Sequence, residues 1–130
     1  MSSHYVEVIG TPRPQPRPRL GKGGRVFNPP SADEWKRAVA RACRDAKIKF
    51  PAGSAIALDV EFFLPVRGER EVGAPHLSTP DLDNLLKAVM DAMTTAGVWA
   101  DDAQVFCLTS RKAVAGGPRE PGATIVVTRI

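Results

Sequence analysis

Ile56-Ala57-Leu58-Asp59-Val60-Glu61-Phe62-Phe63-Leu64 sets large apolar residues at every second position against Ala57, Asp59, Glu61 and Phe63 between them. Successive side chains of a strand point to opposite faces, so the run over residues 55–64 reads as a strand with one face buried. Asp59 and Glu61 then fall on its solvent face, a simpler role than extra metal ligands. Pro51-Ala52-Gly53 breaks the chain just before it.

Outward from this strand the periodicity changes. Upstream, Ser31 and Glu34 make a capping-box pair after Pro29-Pro30, and Trp35, Val39, Ala42 and Ala46 recur at helical spacing, which predicts a helix of about four turns with Trp35 in the core. Lys36, Arg37, Arg41 and Arg44 lie off that stripe and read as a solvated face partly paired with Asp33 and Asp45. Further upstream, residues 4–9 alternate, with His4, Val6 and Val8 on one side, and predict a short strand ended by Gly10-Thr11-Pro12. Downstream, residues 104–114 read as a strand, residues 116–122 as a turn and residues 123–130 as a final β-branched strand, the last two strands forming a hairpin. The order is β-α-β-α-β-β. This is an α+β domain with helices packed on one mixed or antiparallel sheet, a single unit spanning residues 1–130.

The chain has 130 residues, 18 Lys and Arg against 14 Asp and Glu, and a formal charge of +4. That length suits one domain, and the basic balance favours a polyanionic partner. No run approaches the roughly 20 apolar residues of a membrane span and the start lacks a signal-peptide layout, so a cytoplasmic location is expected, with no membrane partner. Cys43 and Cys107 lack CxxC spacing and read as reduced, buried thiols, with no sign of zinc or a disulfide framework.

Residues 12–25, Pro-Arg-Pro-Gln-Pro-Arg-Pro-Arg-Leu-Gly-Lys-Gly-Gly-Arg, carry five positive charges and no negative one. The prolines exclude helix and interior strand, so this basic Pro/Gly-rich arm, within residues 11–30, reads as extended and then flexible. A linker or a proline-rich ligand would have the same composition. Separated guanidinium groups also suit contacts along a nucleic-acid backbone, the reading favoured here. The loop over residues 65–79 carries Arg67, Arg70 and His76; a lone histidine there is ordinarily solvated, with a place beside a phosphate as the alternative.

The chemistry concentrates in Thr79-Pro80-Asp81-Leu82-Asp83-Asn84-Leu85-Leu86-Lys87, a helical run, and Gly97-Val98-Trp99-Ala100-Asp101-Asp102. Leu82, Leu85, Leu86, Val89 and Met93 form an apolar stripe, while Asp83, Lys87 and Asp91 lie on an ionic one. An Asp83–Lys87 pair alone is an ordinary helix ion pair of roughly a few tenths of a kcal/mol, and Asp91 reads as a partner of Lys87 rather than a ligand. Two helix starts are open. With Thr79 as N-cap and Pro80 at the first helical position, Asp81 and Asp83 diverge by about 200° around the axis. With a start near Asp83, Asp81 lies on extended backbone and the two carboxylates can converge. A shared Mg²⁺ requires the second, with Asp101 or Asp102 returning from beyond the Gly97 turn to complete an oxygen cage. Such a cage suits phosphodiester hydrolysis, with Lys87 placed to offset developing charge.

Pro80-Asp81-Leu82-Asp83-Asn84-Leu85-Leu86-Lys87 followed by Gly97-Val98-Trp99-Ala100-Asp101-Asp102-Ala103-Gln104-Val105 resembles the RusA family of Holliday junction resolvases. Residues 10–19 and Phe27-Asn28-Pro29 are similar to that family's amino-terminal pattern. The resemblance implies a small homodimeric endodeoxyribonuclease of bacteria or their phages, dependent on Mg²⁺ with Mn²⁺ as an expected substitute, that cuts branched, four-way DNA by paired incisions. It implies Asp81, Asp83 and Asp102 as catalytic acids and metal ligands, Asp101 as an adjacent ligand, and Lys87 as a basic helper. Thr79 departs from the basic residue that many relatives carry before Pro-Asp. Arg13, Arg17, Arg19, Lys22, Arg25, Arg67, His76, Arg111 and Lys112 are the expected DNA contacts. The rival expectation is a non-catalytic nucleic-acid-binding protein using the arm alone, and dependence on a divalent metal separates the two.

Overall fold

The computed structural model describes residues 2–130. Eight main elements follow one another: β1 (Ser2–Ile9), β2 (Arg19–Leu20), β3 (Val26–Phe27), α1 (Asp33–Asp45), β4 (Ile56–Leu64), α2 (Leu82–Thr95), β5 (Val105–Val114) and β6 (Gly122–Arg129). Four of the strands form one mixed sheet in the order β1-β6-β4-β5. β4 pairs antiparallel with β6 and parallel with β5, and β6 pairs antiparallel with β1.

The alternation in β4 is the axis of the packing. Ile56, Leu58, Val60, Phe62 and Leu64 are buried, and the residues between them are half-buried. The buried face meets Trp35, Val39 and Cys43 of α1 and Leu85, Val89 and Met93 of α2, with Val6 and Val8 from β1 and Ala123, Ile125 and Val127 from β6. Both helices therefore cover one side of the sheet. On the open side, Arg119 lies 3.7 Å over the Phe63 ring and also bonds Glu7, which accepts from Tyr5 and Thr124. Burial works to raise the Glu7 pKa, but the hydrogen bonds from Tyr5, Thr124 and Arg119 outweigh it and hold the carboxyl below its ordinary value. β6 and β1 approach so closely that a Cβ at Gly122 would run into the Val8 carbonyl.

The α+β class and the element order stand, and several local expectations change. β5 and β6 are not a hairpin, because β4 lies between them. The reason is topological: α2 carries the chain back to the start of β4, so β5 must run parallel to it, and β6 takes the other edge of β4. The Ser31–Glu34 capping box does not form. Pro30–Ala32 wind into a 3₁₀ turn, the N-cap is Ala32, and no side chain caps it. The pairing expected between Asp33 or Asp45 and the α1 cations is also absent among the described residues. Lys36 instead crosses to Asp91 of α2 at 3.7 Å, so Asp91 partners a different lysine from the one expected. Cys43 is buried, its thiol pushed up to about 11 by burial, but Cys107 is exposed on edge strand β5. Finally, the arm carries a short paired segment beyond Pro18. Arg19 and Leu20 pair with Phe27 and Val26 around a turn in which Gly23 and Gly24 hold φ of 75° and 76°, angles that suit glycine.

Candidate active site

α2 begins at Leu82, and Asp81 is its N-cap residue with extended φ −70° and ψ 142°. The Thr79 start is thus excluded, and the start that lets Asp81 turn toward Asp83 is the one adopted. The Asp81 side chain makes no capping hydrogen bond, while Asp83 Oδ1 accepts from its neighbour's backbone, Asn84 N, at 2.9 Å. Both acids are exposed, and so is Lys87 one turn further on. The positive end of the helix dipole favours carboxylates here.

A set of hydrogen bonds fixes this helix entrance. Asp81 O accepts from Leu85 N at 3.1 Å, closing the first turn. The Lys112 ammonium donates to the carbonyls of Ser78 (2.6 Å) and Pro80 (2.9 Å), on either side of the cis Thr79–Pro80 bond. The Lys112 carbonyl in turn accepts from His76 N at 3.0 Å, so this residue holds the incoming loop through both backbone and side chain. The arm supplies the other wall. Gln15 N donates to Asn84 O at 3.0 Å, and Lys36 Nζ donates to Gln15 Oε1 at 3.0 Å. The result is a groove of about 520 Å³ lined by Arg13, His76, Thr79, Asp81 and Asn84 among others.

His76 differs from the solvated loop residue expected. It is 5% exposed, its Nε2 lies 3.4 Å from Pro65 O, and its Nδ1 has no partner. Arg111 is engaged with Glu61 across the β4–β5 pair, and that hydrogen bond raises the guanidinium pKa. Arg13, Arg17, Arg19, Lys22, Arg25 and Arg67 are exposed, and none forms an ion pair among the described residues.

The second pair of acids stands elsewhere. Asp101 caps a 3₁₀ turn over Asp102–Gln104: its side chain accepts from Ala103 N at 2.9 Å, and Gln104 Oε1 accepts in return from Asp101 N at 3.1 Å. Gln104 Nε2 ties the same turn to the carbonyls of Pro51 and Ser54. Asp102 is exposed and borders a separate crevice with Lys36, Asp91, Thr94 and Thr95, at the exit end of α2. A 14-residue helix is about 21 Å long. Asp81 and Asp83 therefore share one end of it, and Asp102 sits by the other. No three of His, Cys, Asp and Glu are grouped to hold a metal among the described residues. The donor chemistry of Asp81 and Asp83 still fits a hard cation, which takes one or two carboxylates and completes its shell with water.

Lys112 as a strut and Gln104 as a staple are both unexpected from the sequence. Nothing marks a strand lysine as a bridge to a distant loop. The Asp101–Gln104 spacing, in contrast, is itself a capping-box signal.

The fold and site together define an α+β domain with paired carboxylates at a helix entrance, walled by a basic arm. The family model described as endodeoxyribonuclease RusA matches residues 10–128, and the chain belongs to that family. It is 32% identical over 99 residues to a crossover junction endodeoxyribonuclease RusA of Aquifex aeolicus (strain VF5), covering 74% of this chain and 68% of that one. It is 40% identical over 86 residues to the crossover junction endodeoxyribonuclease rusA of Enterobacteria phage 82, covering 59% and 70%. To the enzyme of that name in Escherichia coli (strain K12) it is 50% identical over 82 residues, 63% of this chain and 60% of the relative.

Proposed function

We propose that this protein is a divalent-metal-dependent endodeoxyribonuclease that resolves four-way DNA junctions by paired phosphodiester hydrolysis. The observation that carries the reading is the extended backbone of Asp81 directly ahead of α2, which leaves its carboxylate free to turn toward that of Asp83, beside a groove that Asp81 lines together with Arg13. Asp81, Asp83 and Asp102 are the acids assigned to Mg²⁺ or Mn²⁺. When bound, such an ion supplies an activated water and relief of phosphate charge. Arg13 and the arm hold the DNA backbone against the groove, Lys112 and Asn84 fix the entrance that carries the acids, and Lys87 faces the charge that develops on the phosphate.

A homodimer is part of the proposal. Two symmetric cuts are most simply made by two sites related by a two-fold axis. The distance between Asp102 and the Asp81–Asp83 pair along α2 supports a site completed between two copies. Strand β5, which follows Asp102, is a sheet edge with Phe106 and Leu108 exposed by 64% and 44%, an apolar margin suited to a second copy.

The test is cleavage of a synthetic four-way junction and a linear duplex, each with Mg²⁺, Mn²⁺ or chelator. Paired incisions in the junction that need either metal are expected. Binding without cleavage under all conditions would leave a DNA-binding module and overturn the nuclease reading.

A further inference from the structure

Helix α1 carries Arg37, Arg41 and Arg44 at i, i+4 and i+7, on one face, next to Lys36, whose ammonium bonds Gln15 of the arm. All three are exposed and line a groove of about 370 Å³ between α1 and the end of α2. Arg44 also borders the next crevice, with Lys47 and Lys49. Five cations therefore follow the helix and the turn beyond it. The acids facing the groove are Asp33 and Asp45, and neither forms an ion pair among the described residues. Arg44 donates to Thr95 O at 3.3 Å, fixing its guanidinium at the groove wall.

Lys47 adds an independent observation. Its φ of 56° is the one positive value at a non-glycine residue among those described. It follows the helix end, with Lys47 N donating to Arg44 O and Ile48 N to Cys43 O, at a position where glycine is the residue without a steric penalty. A lysine stands there despite that preference. A cation near a helix C-terminus gains from the dipole, but so would one anywhere in the last turn, where Arg44 already stands.

We propose that this face is a second phosphate-binding track, distinct from the basic arm, that holds one arm of the DNA substrate by its backbone. The proposal rests on the nuclease reading above. From Arg37 to Arg44 the axis advances about 10 Å, and duplex DNA presents a phosphate on each strand every 3.4 Å or so of its own axis. The row is therefore long enough to meet neighbouring phosphates of one strand. An anionic protein would meet the same charges, but a regular row of arginines whose only apolar neighbours in the groove are the small Ala40 and Ala92 fits a repeating backbone better.

The test measures the affinity for a four-way junction across salt concentrations, with chelator present so that no cutting intervenes. The variants are the double substitution Arg37→Gln with Arg41→Gln, which leaves the Arg44 bond to Thr95 intact, and Lys47→Gly. Each cation removed from a phosphate should lower the salt slope by about 1, so the double variant drops by about 2 per protomer and Lys47→Gly by about 1. The melting temperature of Lys47→Gly should hold or rise while its affinity falls. Slopes equal to wild type in both variants, beside a reduced slope for an Arg17→Ala and Arg19→Ala control, would overturn the track and leave the nuclease reading standing. Failure of the wild-type protein to bind any junction would remove both.

Discussion

Lys112 Nζ lies 2.9 Å from the carbonyl oxygen of Pro80, the residue immediately ahead of Asp81. A cation on β5 thus sets where the α2 carboxylates begin, although nothing in the chain order connects them. Catalytic rates fall steeply when reacting groups shift by about 1 Å. We expect Lys112→Met to lower the rate of junction cleavage by roughly 10- to 100-fold with binding in chelator nearly unchanged, and Lys112→Arg to recover part of the loss. Weakened binding with a flatter salt dependence would instead make Lys112 a phosphate contact.

Asp83→Asn should abolish cleavage and leave junction binding intact, since removing an acid from a basic surface does not weaken attraction to phosphate. Asp102→Asn should do the same. If each site draws acids from both copies, mixing the two inactive proteins restores one complete site per mixed dimer, and single-strand nicking returns. An inactive mixture would place all three acids in one chain.

Asp101 and Asp102 are neighbours with different work. Asp101 caps the turn and Asp102 makes no cap. Asp101→Ala should therefore cost about 1 kcal/mol of stability, measured by denaturant unfolding. Asp102→Ala should cost nothing or slightly stabilise the metal-free protein.

For the arm, Arg17→Ala with Arg19→Ala should weaken junction binding and lower the salt slope by up to about 2. An unchanged slope would return the arm to a linker role.

Glu7 gives a pH signature. Its folded pKa is depressed, so its contribution to stability is present above the ordinary glutamate value of 4.5 and is lost as pH falls through the folded value. Glu7→Gln should lower the melting temperature at neutral pH and leave a smaller difference from wild type in acid. An equal difference at both ends would assign the loss to packing rather than charge.

Much of this was legible because it is local. The period-2 run in β4 places its strand within one residue, and Trp35 and Val39 lie on the buried side of α1 as their spacing requires. The entrance at Asp81 was legible as a choice between two starts. What failed was non-local. The β5–β6 hairpin was wrong because adjacency in sequence does not say which strand takes which edge of β4. His76 sits in a charge-rich loop, and only the return of that loop onto β5 buries it. The 3₁₀ turn at Pro30 moved the α1 cap past Ser31, a shift of one residue that no spacing rule registers. Asp102 could be placed after a turn, but the length of α2 keeps it from Asp81.

The bond from Gln15 N to Asn84 O joins the arm to the first turn of α2. Mechanically this makes the arm a lever whose fulcrum is the helix that bears Asp81 and Asp83. An arm drawn onto DNA would load that helix end directly, and an arm pulled away would first break its hold on Asn84. Under the proposed function, grip on the substrate and alignment of the carboxylates would be coupled through this one bond.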